Sequence, residues 1–340
     1  MTFTDYTLPE LEEWCRVHDT PAYRARQLWQ AVYQRYGDDV EAMHVLPRAF
    51  RDALSAELPL VSSEVADVHT SRDKTEKYVL RLHDGNCIET VWIPMGSHAT
   101  VCVSSQVGCP VRCRFCASGA DGLVRNLSAG EIVEQVWHAL KNHPGSESVN
   151  VVFMGIGEPL YNYANLIRAI AILNHHDGLN IGARRITVST VGYIDGIRDL
   201  TRDAPQSNLA ISLHATTDQE RRRLIGHCPS EIDPLLAELA RYYEATHRLI
   251  TYEYILFDGI NDSRADAERL AGIARKVPSK VNLIPYNYIP SGTYVASPPE
   301  RIEQFAGWLQ ARGITALIRH SKGDDISGAC GQLRRQKQKP

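Results

Sequence analysis

The stretch Cys109-Pro110-Val111-Arg112-Cys113-Arg114-Phe115-Cys116 sets three thiols apart by three and then two residues. Thiolates this close hold one metal centre, and no Cys or His follows within the next few residues to complete a tetrahedral structural site. Three protein ligands leave one coordination position open, as in an iron-sulfur cube with one iron free for a substrate. A structural zinc whose fourth ligand arrives from a distant part of the chain is the other reading of the same spacing.

The loop follows an apolar strand candidate, Thr100 to Ser104, and strands and helices alternate from there onward. Further strand candidates are Val149 to Met154, Arg185 to Thr190, Leu209 to Leu213, Thr251 to Leu256 and Val281 to Ile284, with Thr315 to Arg319 as a possible seventh. Helical spacing covers Ala129 to His143, Tyr163 to His175, Ile232 to Thr246, Arg264 to Val277 and Pro299 to Arg312. Ser128 and Glu131 stand at capping-box spacing before the first of these. Near-continuous apolar strands joined by helices predict an α/β fold with a parallel sheet. About six units fit an incomplete parallel (βα)6 barrel, because the residues run out before eight.

Upstream, Leu8, Leu11 and Trp14, then Tyr23, Leu28, Val32 and Tyr36, recur at helical spacing, with a short helix around Phe50 to Leu58. Arg24, Arg26, Arg35 and Arg48 interleave with aromatics there, a mixture that suits either an RNA-facing module or plain helical packing under a charged surface. From Lys77 to Pro94 the period becomes two, and Asp84-Gly85-Asn86 marks a β-hairpin turn. The chain is thus read as a small helical N-terminal accessory domain at 1–60 and a β-hairpin connection at 61–98. A partial barrel at 99–320 and a C-terminal Cys loop with a basic tail at 321–340 complete it. Glu89, among apolar neighbours in the second hairpin strand, is either solvent-facing or a carboxylate that is paired or used.

A length of 340 residues suits one barrel-sized domain plus an appendage, and 44% hydrophobic with 23% charged residues describes a soluble globular protein. Met1-Thr-Phe-Thr-Asp-Tyr-Thr7 has no basic region followed by an apolar segment, and no apolar run approaches a membrane span. Eight cysteines without a secretory signal point to a reducing cytoplasm, where thiols serve metals or catalysis. The net charge of -3 gives no sign of general nucleic-acid binding. Phosphate contacts would come from Arg184-Arg185, Arg221-Arg222-Arg223 or the tail from Arg334 to Lys339, each also readable as a solvated face.

Working residues of a parallel barrel gather at the carboxyl ends of its strands. There the sequence places the three-Cys loop, Gly155-Ile156-Gly157-Glu158-Pro159, Ser189-Thr190, Ser212-Leu213-His214 and Pro285-Tyr286-Asn287. The glycines admit a ligand to backbone amides, Glu158 can receive an ammonium, and the small polar groups suit ribose and carboxylate. Phe115 just before the last thiol is typical of clusters that bind S-adenosylmethionine at the open iron. Cys330, in a Gly-flanked polar loop, is better suited to react than to pack, and Cys102 lies seven residues before Cys109. Cys15, Cys87 and Cys228 are read as small apolar residues.

Cys102-Val-Ser-Ser-Gln-Val-Gly-Cys109, the three-Cys loop, Gly-Ile-Gly-Glu-Pro, Ser-Leu-His-Ala, Ile-Leu-Phe-Asp-Gly-Ile-Asn-Asp and Ala-Cys330-Gly-Gln-Leu together resemble the RlmN/Cfr radical SAM RNA methyltransferases, from about Ala22 to Leu333. Ile156 stands where that family commonly has Met, and Ser321-Lys322-Gly323 where an Arg-Gly pair is frequent.

The resemblance implies a [4Fe-4S] cluster on Cys109, Cys113 and Cys116, and S-adenosylmethionine contacts at Gly157, Glu158, Ser189, Ser212, Leu213, His214 and Asn287. It implies methylation of C2 of an adenosine in 23S rRNA near the peptidyl transferase centre, and of one beside the anticodon of some tRNAs. C8 of the same rRNA adenosine is the alternative. Either carbon is electron-poor, so the methyl arrives by a radical route. Cys330 would take a methyl group from one S-adenosylmethionine, and a second, cleaved reductively, would turn that methyl into a radical that adds to the base. Glu89 would take the proton from the adduct, and Cys102 would attack the Cys330 sulfur to release product as a transient disulfide. An electron donor such as flavodoxin or ferredoxin would be the protein partner. A zinc protein that binds RNA without catalysis, and a radical enzyme acting on a protein or small molecule, are the readings from other classes.

Overall fold

The computed structural model describes residues 1–146, 148–289 and 292–334. Three helices open the chain: α1 (Leu8–Val17), α2 (Tyr23–Tyr33) and α3 (Arg48–Glu57). Thr7 and Glu10 close a capping box on α1, so the helix begins where its first free amides find acceptors. Leu8 and Leu11 of α1 and Leu28 and Val32 of α2 are buried, as the helical spacing predicts, while Trp14 and Tyr36 are half-buried and Tyr23 stays exposed; Cys15 and Trp29 join the buried set. Each Leu buried in this way contributes about 2 kcal/mol.

Four strands follow, β1 (Glu64–Thr70), β2 (Glu76–Arg81), β3 (Cys87–Met95) and β4 (His98–Cys102), all paired antiparallel. The predicted hairpin is β2–β3, turned at Asp84-Gly85. Strand β1 carries no sequence signal, because it is an edge strand with almost every residue exposed and so has no alternating apolar face. After β4, a small ribbon of β5 (Gln106–Gly108) and β6 (Leu123–Asn126) brackets the three-Cys loop. Gly108, at φ +80°, makes that ribbon possible, since a Cβ there would strike the Gly122 carbonyl.

The barrel then runs α4 (Ala129–Asn142), β7 (Val149–Phe153), α5 (Tyr163–Asn174), β8 (Ile186–Thr190), α6 (Ile194–Asp203), β9 (Asn208–Ser212), α7 (Asp218–Leu224) and α8 (Ile232–Thr246). It continues through β10 (Ile250–Leu256), α9 (Arg264–Lys276), β11 (Ser279–Pro285), α10 (Pro299–Gln310) and β12 (Ala316–Ile318). The sheet order is β1-β2-β3-β4-β7-β8-β9-β10-β11-β12, with every pair from β4 onward parallel. Among the described residues no pairing joins β12 back to β4, so the barrel is incomplete, as its residue count demands.

One continuous apolar core spans the N-terminal helices and the barrel. Trp137 of α4 donates its indole N–H to Val32 O at 2.8 Å, and Glu134 accepts from Thr4, Ser62 and Ser63 at 2.5 to 3.1 Å. The N-terminal helices are therefore docked by polar contacts as well as apolar ones. No helix among the described residues is long and apolar enough to cross a membrane.

Candidate active site

Strand β4 ends at Cys102, and the chain turns through Val103-Ser104-Ser105 toward the ligand loop. Ser104 is the knot of this region. Its Oγ donates to Glu89 O at 2.6 Å and accepts from Ile156 N at 3.0 Å, while Gln135 of α4 takes its amide and supplies its carbonyl. Two loops and strand β3 are thereby registered to one helix. Gly157 sits at φ +113°, and a Cβ there would lie 2.7 Å from Gln106 Cβ and Ser105 Oγ, so only glycine lets this turn press against the start of the three-Cys loop.

A cavity of about 130 Å³ opens at the carboxyl ends of the strands. Cys109, Cys113 and Cys116 line it together with Gly157, Glu158, Ser189, Ser212, His214 and Cys330, which come from five different loops or strand ends. Burial and the neighbouring thiol Cys116 push the Cys109 thiol up to about 12, and Cys113 is driven further in the same direction. Three neighbouring thiols that would repel one another as thiolates suit a shared cation, which removes that repulsion.

Glu158 is buried, with Oε2 accepting from Val191 N at 2.9 Å and Oε1 from Leu160 N at 3.2 Å. Burial raises its carboxyl to about 7 despite those amides, and a cationic group in the cavity would favour its charged form. Glu253 also faces the cavity, accepts from Asn282 Nδ2 at 3.0 Å on Oε1, and keeps a buried Oε2 without a partner among the described residues. A charge-bearing, hydroxyl-rich ligand such as S-adenosylmethionine fits both carboxylates.

His214 has a left-handed backbone, φ 55°, held by Asn261 Nδ2 on its carbonyl and by Ile255 N–H donating to Nδ1 at 3.2 Å. An amide can only donate, so Nδ1 is the acceptor and the ring proton sits on Nε2. Burial, with the Arg221 charge, lowers the ring to about 3 and keeps it neutral. Of the expected ligand contacts, Leu213 is packed in the core and Asn287 faces elsewhere. Asn287 Nδ2 donates to Cys330 O at 3.0 Å and its Oδ1 accepts from Ser321.

Asn287 belongs to a second cavity of about 320 Å³, lined by Cys102, Met154, Arg319, Cys330 and Leu333 among others. Cys330, Met154 and Ile284 face both cavities. Cys102 and Cys330 are free thiols here. Burial, then the nearby Cys330, raises the Cys102 thiol to about 12, against the lowering effect of Arg319. Burial also raises Cys330, and again Arg319 opposes it.

Glu89 is buried on the same face of β3 as Val91, which pairs with Cys102 and packs with Val152, Ile156 and Leu333. Its Oε1 lies 3.1 Å from Lys77 Nζ, and its Oε2 accepts from Arg334 N at 2.8 Å. Glu89 is therefore paired in the interior, not solvent-facing. The segment that carries Cys330 is tied to the three-Cys loop by Ala117 N to Gly331 O, 2.8 Å, and Ser118 Oγ to Leu333 O, 2.6 Å.

Three residues read otherwise from the sequence change character. Arg221 is fully buried, not a surface phosphate contact, because its guanidinium holds Val191 O, Ser230 O and Cys228 Sγ. Cys228 is correspondingly not a plain apolar residue: its Sγ accepts from Arg221 Nη1 at 2.9 Å. Arg334 pairs with Asp121, and the rest of the basic tail, 335–340, lies outside the described residues.

A match to the radical SAM superfamily covers residues 103–271, and one to the ribosomal RNA large subunit methyltransferase N-terminal domain covers residues 1–59. The chain is 43% identical over 336 residues to the probable dual-specificity RNA methyltransferase RlmN of Geobacillus thermodenitrificans, spanning 98% of this chain and 92% of that protein. It is 42% identical over 313 residues to the dual-specificity RNA methyltransferase RlmN of Halorhodospira halophila, covering 92% and 87% of the two chains. The chain belongs to the RlmN family of radical SAM RNA methyltransferases. The crystal structure of a radical SAM methyltransferase from Sphaerobacter thermophilus superposes with a TM-score of 0.95 at 44% identity, covering 98% of this chain and 99% of that one. Membership of the RlmN family implies S-adenosylmethionine and a [4Fe-4S] cluster, and the donor set around the first cavity is chemically suited to both.

Proposed function

We propose that this protein methylates C2 of an adenosine in 23S rRNA near the peptidyl transferase centre, and an adenosine beside the anticodon of tRNA, with Cys330 as the methyl carrier. The observation that carries the reading is that Cys330 faces two cavities, one shared with the three-thiol loop and the other with Cys102. Cys109, Cys113 and Cys116 would hold the cluster, which together with S-adenosylmethionine supplies one-electron chemistry able to activate a methyl C–H bond.

This chain's own residues do the rest. Glu158 offers its carboxylate to the ammonium of the methionine moiety, and Gly157 keeps the wall close enough for backbone contact. Ser189, Ser212 and neutral His214 supply polar contacts at the rim, with Leu213 contributing through its backbone. Asn287 holds the Cys330 carbonyl, which orients the methyl-bearing sulfur. Glu89 accepts the proton from the base adduct, and Cys102 attacks the Cys330 sulfur to free the product. The target base must be unstacked to reach this interior site, so a loop or remodelled RNA is the substrate form. The N-terminal helices 1–60 are the surface we assign to RNA, with a small electron-transfer protein such as flavodoxin or ferredoxin as reductant in the cytoplasm.

Mass spectrometry of nucleosides after anaerobic turnover with methyl-labelled S-adenosylmethionine tests the reading. Label in 2-methyladenosine from both rRNA and tRNA is expected. Label in 8-methyladenosine moves the reaction to the other carbon, and no labelled nucleoside from a cluster-loaded enzyme overturns RNA methylation.

A further inference from the structure

Lys77 on β2 is 6% exposed, and an ammonium so far from water is costly unless it is paired. Its register explains where it points. Val79 pairs with Glu89 across the hairpin and Lys77 with Val91, so Lys77 and Glu89 are diagonal neighbours on one face. The ammonium lies 3.1 Å from Glu89 Oε1 and donates to Ser327 O at 3.4 Å. Ser327 is a left-handed residue, φ 53°, three positions before Cys330. The turn that holds it is anchored independently, by Ser71 Oγ on Asp325 Oδ1 at 2.6 Å and by Gly323 N–H on Asp73 Oδ2 at 3.3 Å. A single buried cation thus joins Glu89 to the segment that bears Cys330.

We propose that Lys77 is a positioning residue for the proton transfer: it holds the buried Glu89 carboxylate in place, aimed at the adduct formed on Cys330. The inference rests on the roles given above to Glu89 and Cys330. In the step itself the adduct C–H proton passes to a Glu89 oxygen, the bonding pair stays with the base, and Lys77 remains an ammonium throughout. Without that ammonium, Glu89 Oε1 loses the contact that fixes it relative to the Cys330 segment, and the base is no longer held where the adduct proton leaves.

Lys77→Met and Lys77→Gln, each loaded with cluster, are turned over with RNA under reductant and run on a denaturing gel, with Cys330 methylation read by mass spectrometry. Both variants are expected to methylate Cys330 normally, because the three-thiol cavity is untouched, yet to trap at least tenfold more enzyme as RNA adduct. Lys77→Arg is expected to restore release. Combining Lys77→Gln with Glu89→Gln is expected to trap no more adduct than Glu89→Gln alone, a non-additivity that a purely structural role does not produce. A folded Lys77→Gln enzyme with the wild-type adduct fraction overturns the proposal. If Glu89→Gln itself traps no adduct, the failure lies with the role given to Glu89.

Discussion

Cys330 and Cys102 line one cavity, Cys102 buried and Cys330 half-buried, and the proposed function gives them different roles. Cys330 also faces the three-thiol loop, whereas Cys102 ends β4 and is pushed to about 12 by burial and by Cys330. Burial keeps the Cys102 thiol protonated and slow to attack, and its proposed role is to resolve the adduct once it has formed on Cys330. Cys102→Ala is therefore expected to accumulate enzyme crosslinked to RNA, and Cys330→Ala to form no crosslink. Equal free-enzyme fractions for the two variants on a denaturing gel contradict this division. Arg319, in the same cavity, opposes the burial that raises both thiols.

Helix α4 does two jobs through adjacent residues. Gln135 braces Ser104 beside the active site, and Glu134 gathers donors from Thr4, Ser62 and Ser63 at the N-terminal helices. Glu134→Ala leaves several buried donors without an acceptor, and a loss of roughly 2–4 kcal/mol is expected in urea unfolding. His138, one turn along, contacts Ser63, and burial lowers its imidazole to about 4 from 6.5. A depressed folded value means the native state binds fewer protons, so this contribution is whole above pH 6.5 and lost as pH falls toward 4. A span of about 2.5 units at ~1.4 kcal/mol each allows about 3.5 kcal/mol. His138→Asn is expected to narrow the difference between unfolding midpoints at pH 5 and pH 7.5, and an unchanged difference removes His138 from the acid limb.

Across the whole molecule, the C-terminal segment closes the structure from outside the sheet. It is held at one end by the β1–β2 turn through Asp73 and Ser71, and at the other by the three-Cys loop through Ala117 and Ser118. Metal binding by that loop should therefore be felt in the segment that carries Cys330. Chelating the cluster is expected to speed amide hydrogen exchange by at least tenfold at 117–119 and 329–334, while α1 and α2 keep their protection. Unchanged exchange at 329–334 separates the two loops energetically.

The strand and helix alternation, the seventh strand at Ala316–Ile318, the β2–β3 hairpin and the capping box at Ser128 were legible because each is a local pattern of period, turn or cap. Glu253 gave the same kind of signal as Glu89, a carboxylate inside an apolar strand, and Lys77 could have been paired diagonally with Glu89 by counting back from the Asp84-Gly85 turn. Edge strand β1 gave none, since a strand with no buried face writes no alternation. What the sequence determined by itself was the residue chemistry: three thiols in one loop, two more thiols apart from it, and a barrel to present them. Only the tertiary structure decided that Cys330 faces two cavities, that Arg221 is interior and that Lys77 meets both Glu89 and Ser327. Those contacts join residues up to 250 positions apart, and no local periodicity encodes a meeting at that distance.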